Sequence, residues 1–372
     1  MDKNYILHKI TENLELTDSQ FNNIKKSYES VAEWLNTSVE IKKYGKTEIF
    51  PQGSVALGTV VKPLKKEEYD IDLVFHINNY NIEPAILKRI VGNRLKENKK
   101  YKDMLDDEGK RCWTLKYSDS LKYHMDILPT KNEIKPVDYY GIKSISATNW
   151  NKITNIYTEK STNPKGYIKW FLNKSHNGIS ESFSIDNIDE YPFKTILQKS
   201  VQLLKRHRDI YFHLINVDDD MPLSIIITTL AAQSYIGDKD LVDSLFNISM
   251  NLEKNIRIMN DKIHICNPVD NRENFAEKWN ETNKKYNNFI IWLRELKKDV
   301  FKLKNLYGTD FISHISKMFG ESAVKNVLDN IGEELYIARE NRSLSFNNKS
   351  GQLYLGKDNI VENHTFYGVS DV

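Results

Sequence analysis

Tyr69-Asp70-Ile71-Asp72-Leu73-Val74-Phe75-His76-Ile77 alternates with the period of a strand, setting Ile71, Leu73 and Phe75 on one face and Asp70, Asp72 and Val74 on the other. Residues two apart in a strand share a face, so the two carboxylates converge on one small volume. Anions that close repel unless a cation stands between them. Carboxylate oxygens are hard ligands suited to Mg²⁺, which binds protein through one or two carboxylates together with substrate phosphates. Solvated strand faces often carry acid pairs that do no chemistry, so the pair alone decides nothing.

The flanking sequence adds to it. Upstream, residues 46–50 read as a strand that enters Pro51-Gln52-Gly53-Ser54 and then a short helix ended by Pro63. Glycine permits close backbone approach, serine offers a hydroxyl donor, and a helix N-terminus presents unsatisfied N–H groups to an anion. In chemical terms Gln52, Gly53 and Ser54 form a triphosphate-binding turn; the alternative is an ordinary serine N-cap. Downstream, residues 112–117 and 122–128 read as two strands, the second ending at Pro129 and carrying Asp126. Asp126 could supply the third oxygen that lets two metal ions share one cradle. His124, close by, is expected to pack away from the metals, and no catalytic histidine is assigned.

The wider chain is α+β. Thr17-Asp18-Ser19-Gln20 is a capping-box pattern opening a long helix to about Asn36, with Phe21, Ile24, Tyr28, Val31 and Leu35 at helical spacing. A helix is expected over residues 83–98. The second half is mainly helical, with candidates over 193–212, 223–235 and 286–301. Residues 345–372 are polar and weakly periodic, an irregular tail or a surface strand. No internal repeat is present.

With 372 residues the chain has room for two lobes. Lys and Arg number 53 against 51 Asp and Glu, a net charge of +2, which gives no reason to expect a long nucleic acid or a membrane surface as partner. Cys112 and Cys266 have no Cys or His at metal-ligand spacing, arguing against a zinc site or a disulfide framework and for a reducing cytoplasm. Neither a signal peptide nor an apolar run of membrane-spanning length is expected.

The Gly-Ser turn, the Asp-x-Asp strand and the later strand aspartate together resemble the polymerase-β-type nucleotidyltransferase superfamily. The resemblance narrows to the cyclic GMP–AMP synthase/DncV-like nucleotidyltransferases, the bacterial CD-NTases of CBASS antiphage operons. It is carried by Pro51-Gln52-Gly53-Ser54, Tyr69-Asp70-Ile71-Asp72-Leu73-Val74, His124-Met125-Asp126-Ile127-Leu128-Pro129 and Ser161-Thr162-Asn163-Pro164-Lys165-Gly166-Tyr167. Leu203-Leu204-Lys205-Arg206-His207-Arg208-Asp209, Pro222-Leu223-Ser224-Ile225-Ile226-Ile227-Thr228-Thr229-Leu230-Ala231-Ala232, Asn267-Pro268 and Glu273-Asn274-Phe275-Ala276-Glu277-Lys278-Trp279 extend it. Coverage thus runs from about residue 50 to 280.

The resemblance implies a bilobed α+β enzyme: a mixed-sheet nucleotidyltransferase lobe with its N-terminal helix over residues 1–160, a helical nucleotide-binding lobe over 161–345, and an irregular tail over 346–372. Asp70, Asp72 and Asp126 would bind two Mg²⁺ ions, with Mn²⁺ a substitute, and Asp126 would help to deprotonate an attacking ribose hydroxyl. Lys205 and Ser224 stand where related enzymes hold the donor triphosphate. The rest of the Lys205-Arg206-His207-Arg208 run is read as a solvated helix face. Relatives often place a base-stacking aromatic directly after that serine, but here Ile225 follows Ser224; Tyr69 and Tyr235 are the substitutes considered. The implied activity condenses NTPs (ATP, GTP or a pyrimidine NTP) into a cyclic di- or trinucleotide for antiphage defence. A linear nucleotidyltransferase and a non-catalytic nucleotide-binding relative are the alternatives. Operon partners could act on the tail ending Gly368-Val369-Ser370-Asp371-Val372.

Overall fold

A computed structural model describes residues 2–64, 69–117, 123–138, 140–177, 193–348, 353–356 and 358–361. The helices are α1 (Lys3–Asn13), α2 (Asp18–Asn36), α3 (Val39–Lys42), α4 (Gly53–Ala56), α5 (Pro84–Glu97), α6 (Lys99–Met104), α7 (Pro164–Ser175), α8 (Ile196–Leu214), α9 (Ser224–Ser234), α10 (Leu241–Asn251), α11 (Asn283–Asn305), α12 (Gly308–Phe319) and α13 (Glu321–Glu340). The strands β1 (Thr47–Gln52), β2 (Tyr69–Ile77), β3 (Trp113–Tyr117), β4 (Tyr123–Val137), β5 (Lys143–Asn151) and β6 (Ile156–Thr162) form one mixed sheet. Its order is β1-β2-β4-β5-β6, with β3 also pairing β4. Among the described residues no helix is long and apolar enough to cross a membrane.

Two apolar cores result. One lies between the sheet and α2 and α5, built from the inward faces that alternation predicts, Ile71, Leu73 and Phe75 of β2 with Ile24, Val31 and Leu35 of α2. The capping box that starts α2 is present: Gln20 N–H donates to Thr17 Oγ1 at 3.3 Å and Thr17 N–H to Gln20 Oε1 at 3.0 Å. The other core joins α7 to α13 and also takes Ile6, Leu7, Ile10 and Leu14 from α1 and its C-cap. That first helix was not anticipated, because its charged residues masked an apolar stripe at helical spacing.

Other expectations need correction. β4 does not end at Pro129 but continues to Val137. Pro129 falls at the changeover between two antiparallel partners, β3 reaching Ile127 and β5 starting at Thr130, a gap where a residue lacking an N–H is tolerated. The tail expectation, an irregular segment or a surface strand, is met in part by strand: β11 (Leu344–Phe346) pairs antiparallel with β12 (Leu353–Leu355), after short ribbons β7 (Arg257–Met259) with β8 (Lys262–His264) and β9 (Cys266–Asn267) with β10 (Asp270–Asn274). Residues 368–372 lie outside the described residues.

Candidate active site

Strand register builds the site. Gln52 of β1 pairs Asp72 of β2, Asp72 pairs Asp126 of β4, and Asp126 pairs Thr114 of β3. The four side chains therefore form one row across four neighbouring strands, on the face opposite the α2 core. Thr114 Oγ1 donates to Asp126 Oδ1 at 2.5 Å, fixing one oxygen of that acid. Asp72 is the constrained member: burial first, then the charges of Asp126 and Asp70, push its carboxyl up from 3.8 to about 7, with Lys205 opposing.

Gly53 explains why the turn needs glycine. Its φ is +65°, and a Cβ there would stand 2.1 Å from Asp72 Oδ2. The turn thus lies directly on the acid. Ser54 follows inside α4 and is not its N-cap; Gln52 holds that position without a side-chain cap.

The third acid is placed differently. Asp70 pairs His124 in register, its side chain is 77% exposed, and its Oδ1 lies 4.0 Å from His124 Nδ1. His124 and Asp126 are two residues apart and share a face, so the expectation that this histidine turns away is wrong; it stands at the rim with Asp70. Among the described residues no three His, Cys, Asp or Glu side chains are grouped as a metal cage. Asp72 and Asp126 nonetheless fit a hard divalent cation: they are adjacent oxygen donors whose mutual repulsion a cation would relieve, and Mg²⁺ takes its remaining ligands from water and phosphates.

The row floors a cleft of about 1150 Å³ between sheet and helices, more than a single small ligand needs. Residues 1–175 match the family described as Second Messenger Oligonucleotide or Dinucleotide Synthetase domain. A "c-di-GMP synthase" of Roseivirga ehrenbergii is 33% identical over 325 residues, 84% of this chain and 83% of the relative. The chain belongs to the CD-NTase family. It is a nucleotidyltransferase. The fold is shared with a Bradyrhizobium diazoefficiens CD-NTase, CdnG, solved in complex with GTP: TM-score 0.68, 17% identity, 89% of this chain and 99% of that one. It is shared also with the Vibrio cholerae DncV cyclic AMP-GMP synthase in complex with the linear intermediate 5′ pppA(3′,5′)pG: TM-score 0.51, 16% identity, 86% of each chain.

In this CD-NTase, Gln52, Gly53, Asp72 and Asp126 line the cleft, whereas Asp70, Ser54, Lys205 and Ser224 do not. Lys205 is buried, and its ammonium donates to Thr59 O and Oγ1, both at 3.0 Å. Burial, then Arg208, pull its pKa down to about 7, against the favourable charges of Asp209 and Asp72. Ser224 Oγ accepts from Arg208 at 3.1 Å. The Lys205–Arg208 run is not a solvated face: all four residues are buried. Lys205, Arg206 and His207 have partners far away in sequence, Arg206 donating to Lys62 O at 2.8 Å and His207 reaching Asp299 at 3.2 Å, whereas Arg208 donates to its neighbour Asp209 and to Pro222 O. Tyr235 is buried with its hydroxyl on Asp238 O, and neither it nor Tyr69 lines the cleft.

Sequence reasoning missed another part of the lining. Thr162 at the end of β6, Asn267 of β9, and Glu273 and Phe275 of and beyond β10 face the cleft with Arg111. The matching Glu273-Asn274-Phe275 stretch was the available signal, but nothing local said that it meets Thr162.

Proposed function

We propose that this protein is a Mg²⁺-dependent cyclic-oligonucleotide synthase that condenses NTPs into a cyclic di- or trinucleotide second messenger. The observation that carries this is the Gln52–Asp72–Asp126–Thr114 row with the Gly53 turn lying on Asp72. The name of the Roseivirga relative makes c-di-GMP the first product to look for. Asp72 and Asp126, with Asp70 at the rim, would hold two ions, Mg²⁺ or Mn²⁺; when bound they neutralise triphosphate charge and acidify a coordinated hydroxyl.

The chain's own residues do the rest. Gln52 and Gly53 offer the triphosphate a surface beside the acids, with a φ only glycine takes easily. Asp126, one oxygen held by Thr114, is placed to accept the proton of a 2′- or 3′-hydroxyl. The hydroxyl oxygen forms a bond to the α-phosphorus, the α–β phosphoanhydride bond breaks, and pyrophosphate leaves; a second such step closes a dinucleotide ring, and a third closes a trinucleotide ring. Lys205, held by Thr59 with its charge close enough to be felt at Asp72, steadies the acids and the segment behind the turn. The cellular role that fits a CD-NTase is antiphage signalling from the cytoplasm, with neighbouring operon products acting on the C-terminal tail.

The test is incubation with GTP, then with GTP and each other NTP, in Mg²⁺, followed by phosphatase. A phosphatase-resistant product that disappears with EDTA and returns with Mg²⁺ or Mn²⁺ supports the proposal. Products wholly degraded by phosphatase indicate a linear transferase instead.

A further inference from the structure

The far corner of the cleft holds a carboxylate that phosphoryl transfer does not use. Glu273 lines the cleft from β10, and both of its hydrogen bonds arrive at the same oxygen: Asn267 Nδ2 donates to Oε2 at 2.9 Å and Thr162 Oγ1 at 3.0 Å. From the described residues Oε1 receives no hydrogen bond. One oxygen is anchored and the other is left to the cleft. Arg111 links this corner to the acids: its charge is felt at Glu273, and it adjoins Cys112, whose thiol feels Asp126 and Asp72. Phe275, next along the same face as Glu273, lines the cleft and sets its ring edge-to-face against Tyr167, 5.8 Å between centroids. It is an aromatic surface in the cleft where Ile225 offers none.

Guanine and adenine differ most where a carboxylate would meet them. Guanine presents N1–H and an N2 amino group, two adjacent donors; adenine presents a bare N1 acceptor there. A fixed carboxylate oxygen gains a charge-assisted hydrogen bond from the first and faces a lone pair in the second. We propose that Glu273 is a specificity-determining residue that selects guanine nucleotides, its free Oε1 accepting from the N1/N2 edge of a base packed near Phe275. The inference rests on the reading of the cleft as an NTP site, and it names the base that site takes.

Glu273→Gln is the informative variant. The amide oxygen can still accept from Asn267 and Thr162, which turns the NH₂ into the cleft and replaces an acceptor with a donor. Titration calorimetry of the full chain with non-hydrolysable GTP and ATP analogues in Mg²⁺ reads the effect. The unaltered protein is expected to bind the GTP analogue at least about tenfold more tightly, the scale of one buried hydrogen bond. The Gln variant should bring the two within about threefold, with ATP-analogue affinity kept or improved as the sign of intact folding. Glu273→Ala should lose GTP-analogue affinity without gaining the other. Equal affinities in the unaltered protein, or an unchanged ratio in the Gln variant, overturn the assignment. If guanine preference shifts as expected but no cyclic product is ever formed, the proposed synthase activity fails and the base selection stands; if neither analogue binds, both fall.

Discussion

Gly53 and Asp72 are so close that each constrains the other. Alanine at 53 would need the left-handed φ of +65° and would drive its Cβ into Asp72 Oδ2. Gly53→Ala is therefore expected to displace the acid and lower kcat/KM about a hundredfold, the usual result of misplacing a reacting group by an ångström, while the protein stays folded; steady-state kinetics beside a thermal melt checks this. Asp72 carries a stability cost that its chemistry requires. Its folded-state carboxyl titrates near 7 against an ordinary 3.8, so across that window the folded chain holds more protons than the unfolded one, and stability without divalent ions falls as pH rises. Asp72→Asn should remove that fall, melting higher than the unaltered protein at pH 8 in EDTA, yet show no catalysis and no stabilisation by Mg²⁺. A lower melting temperature for the Asn variant at pH 8 would mean that the acid is structurally required rather than strained. These residues were legible from sequence because their geometry is local: the strand period puts two acids on one face, and glycine before a short helix signals close approach. The period gives the face but not the depth along it, and so did not tell that Asp70 stands exposed at the rim while Asp72 is enclosed.

Helix α8 shows what a one-dimensional pattern hides. Gln198, Gln202, Lys205 and Arg206 lie on one face at helical spacing and donate to the carbonyl oxygens of Leu57, Val60, Thr59 and Lys62 at 3.0, 2.8, 3.0 and 2.8 Å. A helix normally buries an apolar stripe; here a polar stripe is buried because the segment following the Gly53 turn has no strand partner for its carbonyls. That is why a charged run read as solvated proves to be interior. The acceptors are more than a hundred residues away, and no periodicity within α8 identifies them. The seam ties the helical side of the cleft to the backbone behind the Gly53 turn. The double variant Gln198→Ala/Gln202→Ala should cost about 1 to 3 kcal/mol of stability. It should also raise KM for NTP about tenfold while kcat changes less than about threefold. An unchanged KM with the same loss of stability would reduce the seam to a purely structural role.

At the scale of the molecule, two cores meet along a cleft that is bound at both ends. The α8 seam closes one side, and polar ties close the other: Arg272 to Glu133 at 2.8 Å, Thr162 to Glu273 at 3.0 Å, and Lys160 to Glu277. The central acids were readable in the sequence because β2 and β4 each carry their own signal. Strands β5 and β6 were not, because their mixed polar faces lack a clean alternation, and with them went the wall that Glu273 and Thr162 share. In the proposed reading, phosphate and proton chemistry belong to the β2 and β4 acids, and the base is read at Glu273 beside Thr162. The most direct measurement is incubation of the full chain with α-³²P-labelled GTP and Mg²⁺, phosphatase digestion and mass spectrometry, beside an Asp72→Ala/Asp126→Ala variant. A phosphatase-resistant cyclic product made by the unaltered protein and absent from the variant is the expected result; a product of equal yield from the variant would contradict the assignment of the two central carboxylates.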